Sequence, residues 1–165
     1  MKDKFTISEI INQLSKYSSS EIRELSSNKK TKIFNFKDLE IDIKKAINKH
    51  KDSNLKGKVI GIKANSQYNF IVWDLFLISQ GMVSFVFPEN IVPSQIIEIC
   101  KNYEIQAVIT DDNELLDSCE LHTISILDKP ESIDLSLLKS EERVGDLLTN
   151  VFSSGTEGKL KGLKI

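Results

Sequence analysis

Arginine is nearly missing from this 165-residue chain: Arg23 and Arg143 are the only two, and the other 20 basic residues are lysines. The basic side is therefore made of hydrated ammonium heads, with little of the planar, forked donor used for phosphate or base readout. An excess of one charge is missing too. Twenty-two basic and 24 acidic residues leave a formal charge of −2, so no net positive field exists to hold nucleic acid or an anionic membrane. There are two cysteines, Cys100 and Cys119, and two histidines, His50 and His122. That is too few, and too widely spaced, for a disulfide framework or a zinc site, and a reducing, cytoplasmic compartment is the expectation. Three prolines and seven glycines exclude collagen-like and low-complexity chains. Long apolar runs are absent as well. Asp3 and Glu9 interrupt the start, which argues against a signal peptide, and Asp74 breaks the longest stretch, 70–78, far short of a membrane span. What remains is 40% hydrophobic and 28% charged, the composition and length of one compact folded unit.

Two kinds of text follow one another along the chain. Residues 1–34 read as an N-terminal helix and hairpin packed on a core. Phe5, Ile7, Ile10, Ile11 and Leu14 recur at helical spacing, with Thr6 or Ser8 available as N-cap. Two short alternating runs, 21–27 and 31–36, flank the polar turn Asn28-Lys29-Lys30, which predicts a hairpin. Residues 35–165 read as an α/β unit. A helix opens at Asn35 or at Lys37-Asp38, with Leu39, Ile41, Ile43, Ala46 and Ile47 on one side. Apolar strands at 58–62, 83–87, 106–110 and 123–127 then alternate with helices at 68–79 and 93–103. This grammar predicts βαβ units, a mainly parallel sheet and a three-layer α-β-α fold. Residues 129–142 form a charged connector, and 147–152 form the last strand.

That strand runs into Ser153-Ser154-Gly155-Thr156-Glu157-Gly158-Lys159-Leu160-Lys161-Gly162. Hydroxyls and glycines at this density let backbone N–H groups converge on an anion, and the lysines add positive charge. The segment also leaves the carboxyl end of a strand, where open α/β sheets place ligands. The bland alternative is a Gly/Ser/Lys tail. A Walker A loop fits poorly, because Ser153 stands where its first glycine belongs and Leu160 where Ser or Thr belongs.

FSSGTEGKLKG resembles the phosphate-binding motif of the adenylate-forming superfamily, which includes acyl-CoA synthetases and peptide-synthetase adenylation domains. Blocks upstream are similar in order and spacing: 34–39, the strand 58–62 with Asn65 and the helix 68–73, then 78–88 and 105–112. The resemblance spans nearly the whole chain, and only the phosphate loop is specific. Departures are the missing proline in Lys63-Ala64-Asn65, the turn Pro88-Glu89-Asn90, Asn150 in place of an apolar residue, and Leu160 where proline is usual. The resemblance implies the N-terminal subdomain of an AMP-forming ligase that activates a carboxylic acid with ATP and Mg2+ to an acyl-adenylate. CoA or a carrier-protein thiol would be the acceptor. It implies that Ser153, Ser154 and Thr156 hydroxyls, with the amides of Gly155 and Gly158, hold the β/γ-phosphates. Thr156 would neighbour the magnesium ion, Lys161 would neutralise the leaving pyrophosphate, and Lys159 would assist from solvent. Glu157 would point away.

In that family the adenine, acyl and magnesium-carboxylate sites and the catalytic lysine lie downstream of this loop. The sequence-level expectation is thus a fragment with no catalytic residue of its own, inactive alone. A non-catalytic remnant or interaction module is the rival, and a flavodoxin-like nucleotide binder a third reading. The other polar residues carry structural expectations. His50 and His122 read as surface residues, and Asp111-Asp112 as a turn cap rather than an acid–base pair. Trp73 and Cys100 read as core, Cys119 as loop or edge, and Lys29-Lys30 and Lys44-Lys45 as solvated faces.

Overall fold

The computed structural model describes residues 6–25, 30–65, 67–118, 120–138, 149–154 and 160–164. Helix α1 (Ile7–Gln13) starts at Thr6, whose hydroxyl takes the Glu9 N–H while the Glu9 carboxylate takes the Thr6 N–H. This reciprocal cap settles the choice between Thr6 and Ser8. A 3-10 turn, Leu14–Tyr17, leads to the predicted hairpin, β1 (Glu21–Leu25) antiparallel to β2 (Thr31–Asn35). Asn35 then caps helix α2 (Phe36–His50) in the same reciprocal manner with Asp38. Ile11, Leu39, Ile43, Tyr68 and Val72 bury together, with Ile22 and Phe34 of the hairpin against them.

The apolar side of α2 is not quite the expected one. Ile41 is 41% exposed, whereas Glu40 and Asp42 are buried. The reason is polar: Glu40 takes the N–H of Ser15 at 2.7 Å and the ammonium of Lys44, tying α2 to the turn after α1. Lys44 is thus a partner rather than a free solvated charge. Those two hydrogen bonds, led by the one from Lys44, hold the Glu40 carboxyl down at about 2. Its contribution to stability is present above the ordinary glutamate range and is lost as pH falls from about 4.5 toward 2. Glu40→Gln is expected to cost about 1–2 kcal/mol at neutral pH. Unfolding of both proteins across pH 2 to 7 checks this: the gap should close in acid, and a gap independent of pH would contradict it.

The α/β core follows the predicted alternation: β3 (Val59–Lys63), α3 (Gln67–Ser79), β4 (Val83–Val86), α4 (Pro93–Asn102), β5 (Ala107–Thr110), a single helical turn α5 (Asn113–Leu116) and β6 (Thr123–Ser125). Strands β7 (Thr149–Ser154) and β8 (Leu160–Lys164) complete a six-stranded sheet in the order β6-β5-β3-β4-β7-β8. Every neighbouring pair is parallel except β7 with β8. Strand alternation sorts the side chains onto two faces. Ile60, Ile62, Ala107 and Ile109 meet Trp73, Phe76 and Leu77 of α3. Val59, Phe85 and Val108 meet Ile96, Ile99 and Cys100 of α4 and Leu115 of α5. Cys100 is core, as expected; Cys119 lies outside the described residues. Right-handed crossovers require steps in opposite directions to use opposite faces, and the chain obeys this. The step from β3 to β4 uses α3, and the opposite steps to β5 and β6 use α4 and α5.

The long return from β6 toward β7, a charged connector by composition, packs on the core along residues 126–138. Its first part, 126–138, is a strap with two 3-10 turns, Pro130–Ser132 and Leu135–Leu137, and it buries Ile126, Leu135 and Leu138 on the α3 side. It has no ladder of its own, so other side chains satisfy its main chain. Trp73 Nε1–H donates to the Asp128 carbonyl at 3.1 Å, and Lys58 Nζ to the Leu138 carbonyl at 2.6 Å. His50 Nε2 lies 2.9 Å from the Pro130 carbonyl. A carbonyl only accepts, so Nε2 carries the proton. His50 is therefore buried, not a surface residue, because the strap covers the end of α2; His122 is exposed as expected.

Candidate functional site

Open sheets bind ligands beyond the carboxyl ends of their strands, where neighbouring connections leave in opposite directions. In this sheet that point lies between β3, which leads to β4, and β5, which leads to β6. Lys63 closes β3 and sits in register with Thr110 at the end of β5. Its ammonium pairs with Asp112 Oδ2, and this hydrogen bond is the main reason the Asp112 carboxyl lies below the usual range. Asp112 Oδ1 accepts the N–H groups of Glu114 and Leu115 at 3.0 and 3.4 Å. Asp111 Oδ2 accepts the Asn65 N–H at 2.9 Å. Asp112 thus caps α5, in keeping with the turn-cap expectation, and the two aspartates tie the ends of β3 and β5 together.

The other feature on this edge is the β7–β8 hairpin. Strand β7 runs parallel to β4, with Ser84 opposite Thr149 and Val86 opposite Val151. It therefore delivers the serine-rich segment to the carboxyl edge, where the sequence placed it. The strand runs two residues further than expected, so Ser153 and Ser154 belong to β7 itself. The chain then returns antiparallel as β8, a strand that the sequence reading did not foresee. Ser154 pairs with Leu160, and Ser153 with Lys161. Hydroxyl-bearing and ammonium-bearing positions are thereby set directly across from one another on adjacent strands. Leu160, the departure from the family's proline, has a physical consequence here: it keeps an N–H at the first residue of β8, which proline would remove. Gly155, Thr156, Glu157, Gly158 and Lys159 lie outside the described residues. The donor set of this hairpin, hydroxyls, amides and ammonium groups, suits an anion. Among the described residues no cluster of three or more His, Cys, Asp or Glu could hold a metal.

Sequence reasoning did not find the Lys63–Asp112 pair, the buried His50 or the buried Lys58. Only the first left a usable signal: the register of two parallel strands puts their last residues side by side.

No protein-family model matches the chain, and no curated protein matches it. Solved structures do. The N-terminal subdomain of NpsA from Klebsiella oxytoca is 18% identical over 94% of this chain and 40% of that one, with a TM-score of 0.66. McyG A-PCP, complexed with phenylalanyl-adenylate, is 16% identical over 100% of this chain and 33% of that one, with a TM-score of 0.73. An artificially fused adenylation-PCP di-domain from Klebsiella oxytoca, NpsA-ThdA, is 16% identical over 96% and 32%, with a TM-score of 0.67. The chain thus spans about 32–40% of the length of these structures. At such identities the likeness shows the fold: that of the N-terminal part of an adenylation domain.

Proposed function

We propose that this chain is the N-terminal part of an adenylate-forming ligase, and that its β7–β8 hairpin holds the pyrophosphate portion of ATP. One observation carries the reading. Residues 152–154 and 160–162 of the FSSGTEGKLKG segment lie on paired strands at the carboxyl edge of the sheet, with Ser153 in register with Lys161. In the reaction a carboxylate oxygen attacks the α-phosphorus of ATP, the bond to the bridging oxygen breaks, and pyrophosphate leaves with the electron pair. Stabilising that leaving charge is the hairpin's part. Ser153, Ser154 and Thr156 would donate hydroxyl hydrogen bonds, Gly155 and Gly158 their amides, and Lys159 and Lys161 positive charge. Magnesium, when bound, would neutralise the phosphates, and Thr156 would neighbour it. The acid substrate is a carboxylic acid. McyG A-PCP and the NpsA-ThdA di-domain join an adenylation unit to a PCP, which favours a carrier-protein thiol over CoA as acceptor. The compartment would be the cytoplasm; among the described residues no helix is long and apolar enough to cross a membrane.

The test is a pyrophosphate titration of the 165-residue chain followed by amide chemical shifts. Shifts should concentrate at residues 153–161, with a dissociation constant of about 1 mM, near −4 kcal/mol. They should fade with added salt. ATP and GTP should move the same amides, because hydroxyls and amides read the phosphates and not the base. Lys161→Ala should weaken all three severalfold. Unmoved amides at 153–161 would leave the chain a non-catalytic interaction module.

A further inference from the structure

A second concave surface lies apart from the candidate phosphate hairpin. It is a groove of about 390 Å³ where α2, the β1–β2 hairpin, the start of α3 and the strap meet, and its described lining includes no residue of β7 or β8. That volume suits a small molecule. One wall is rigid: the rings of Phe34 and Tyr68 stack with centroids 3.8 Å apart and planes 12° apart. Beside them the buried Asp42 carboxylate takes the Tyr68 O–H at 3.1 Å and the Lys129 ammonium at 2.9 Å. This cancels one pair of charges and ties α2, α3 and the strap together, so the groove is formed without a ligand. One charge of each sign is left over. Asp38, exposed, uses Oδ2 for the Asn35 N–H at 3.4 Å and keeps Oδ1 open. Lys45, further along the same face of α2, is exposed and has no polar partner among the described residues. Neither has the half-buried Asn69 amide of α3. Between the two charges lies Ile41, 41% exposed, the isoleucine that helical spacing had assigned to the core.

We propose that the groove binds a small zwitterion, an aliphatic amino acid, with its ammonium at Asp38 and its carboxylate at Lys45. The leftover charges select the class. An anion drawn to Lys45 would also face the carboxylates of Asp38 and Asp42, and a cation drawn to Asp38 would face the ammonium groups of Lys45 and Lys129. A zwitterion meets each end with the opposite sign, and charges so placed discriminate against the wrong ligand. The spacing fits as well. Asp38 and Lys45 lie two helical turns apart, about 10 Å along the axis, and the four-carbon stem of lysine spans part of that gap. The Lys129 ammonium has further N–H groups besides the one taken by Asp42, so it can share the ligand's carboxylate. Asn69 offers a donor and an acceptor from α3. An aliphatic side chain would cover Ile41, which gives that exposed isoleucine a role. Charges exposed to water bind weakly, so a site of about millimolar strength is expected. Nothing here requires the β7–β8 hairpin to hold phosphate, so the two readings stand or fall separately.

The test is a titration of the full chain with L-leucine, followed at the amides of Ile41, Lys45, Asn69 and Lys129, against two singly charged analogues. These are 3-methylbutylamine, which lacks the carboxylate, and 4-methylpentanoate, which lacks the amine. Leucine should saturate with a dissociation constant of about 1 mM, and each analogue should bind about threefold to fivefold more weakly. Two variants should then cross over. Lys45→Met should weaken leucine and 4-methylpentanoate about threefold to fivefold without weakening 3-methylbutylamine. Asp38→Asn should weaken leucine and the amine and spare the acid. Lys45→Met touches no helix cap, so it keeps the test decisive if Asp38→Asn frays the start of α2. No saturable shift at these amides below about 10 mM overturns the proposal. So does an analogue that binds as well as leucine, and so does a Lys45→Met chain that loses all three ligands alike.

Discussion

Gly61→Ala is expected to lower the stability of the fold by about 1–3 kcal/mol, and Gly61→Val by more. Gly61 is the third residue of β3, the strand hydrogen-bonded to both β4 and β5, so it sits mid-sheet on the face covered by α4. A Cβ built there would stand 2.5 Å from Cε2 of Phe87 and 3.4 Å from Cγ2 of Ile105. The first distance is one that real Cβ atoms do not show, so the Phe87 ring must move. It has little room to do so. Phe87 is buried, its ring meets Phe85 edge-on at 5.3 Å, and Ile91 and Ile105 belong to the same cluster. Each extra methyl therefore forces an off-rotamer ring or a backbone shift, against a close-packed interior that resists both. The measurement is urea unfolding followed by far-ultraviolet circular dichroism. Gly61→Ala combined with Phe87→Leu should recover part of the loss, since a smaller side chain vacates the overlapping space. Parent-like stability of Gly61→Ala alone would show that the ring yields freely and the argument is wrong.

That glycine also shows how sequence and structure divided the work. KVIGI read correctly as an apolar strand, because three of its residues, Val59, Ile60 and Ile62, are β-formers bounded by turns. Nothing in the string told why glycine sat in it; the reason is a phenylalanine 26 positions later, just past the end of β4. The same division holds elsewhere. The N-caps were legible only as alternatives, Thr6 or Ser8 and Asn35 or Lys37-Asp38, and the reciprocal bonds with Glu9 and Asp38 decide for Thr6 and Asn35. The parallel sheet was legible because hydrophobic period and helix length alternate along the chain. Strand order was not, and neither was the burial of His50, which depends on a strap 80 residues away. A histidine at a helix end looks solvated in the sequence; only the fold reveals that Pro130 covers it. Ile41 misled for the opposite reason. Its helical position fits an apolar stripe, but two buried, hydrogen-bonded carboxylates displaced that stripe.

For the candidate site the sequence supplied the chemistry and the structure supplied the mounting. Hydroxyls, glycines and lysines in FSSGTEGKLKG already argued for an anion. The return strand β8 was hidden because LKGLK is short, lysine-rich and interrupted by glycine, a poor strand by propensity. Pairing with β7 overrides that weakness, since an edge strand needs only one partner. Lysines along an edge also keep it from pairing with other chains. Leu160 is compatible with the hairpin because it keeps its N–H, and Lys161 falls opposite Ser153.

Trp73→Ala should be the costlier change, about 3–5 kcal/mol, and it should act on the strap as well as on the core. Trp73 is 1% exposed, packed among Phe76, Leu77, Ile60 and Ile109, with its ring edge-on to Phe76 at 6.0 Å. Truncation leaves a large void in the layer between α3 and the sheet, which a rigid neighbourhood cannot refill. The same side chain also donates its indole N–H to the Asp128 carbonyl, an anchor of the strap. Trp73→Phe separates the two roles, for it keeps an aromatic ring but removes the donor. It should cost about 1–2 kcal/mol globally, in line with one lost hydrogen bond and a small volume change. The strap should suffer more than that figure implies, since side chains of α2, α3 and Lys58, just before β3, supply its main-chain bonds. Limited proteolysis reports on this directly. In Trp73→Phe, cleavage within 126–138 should accelerate under conditions where the rest of the chain stays intact. Lys58→Met, which removes the donor to Leu138, should open the strap's other end in the same way. If Trp73→Phe were cut no faster than the parent in that segment, the indole would be a packing group alone. The strap would then be held by the burial of Ile126, Leu135 and Leu138, without help from Trp73.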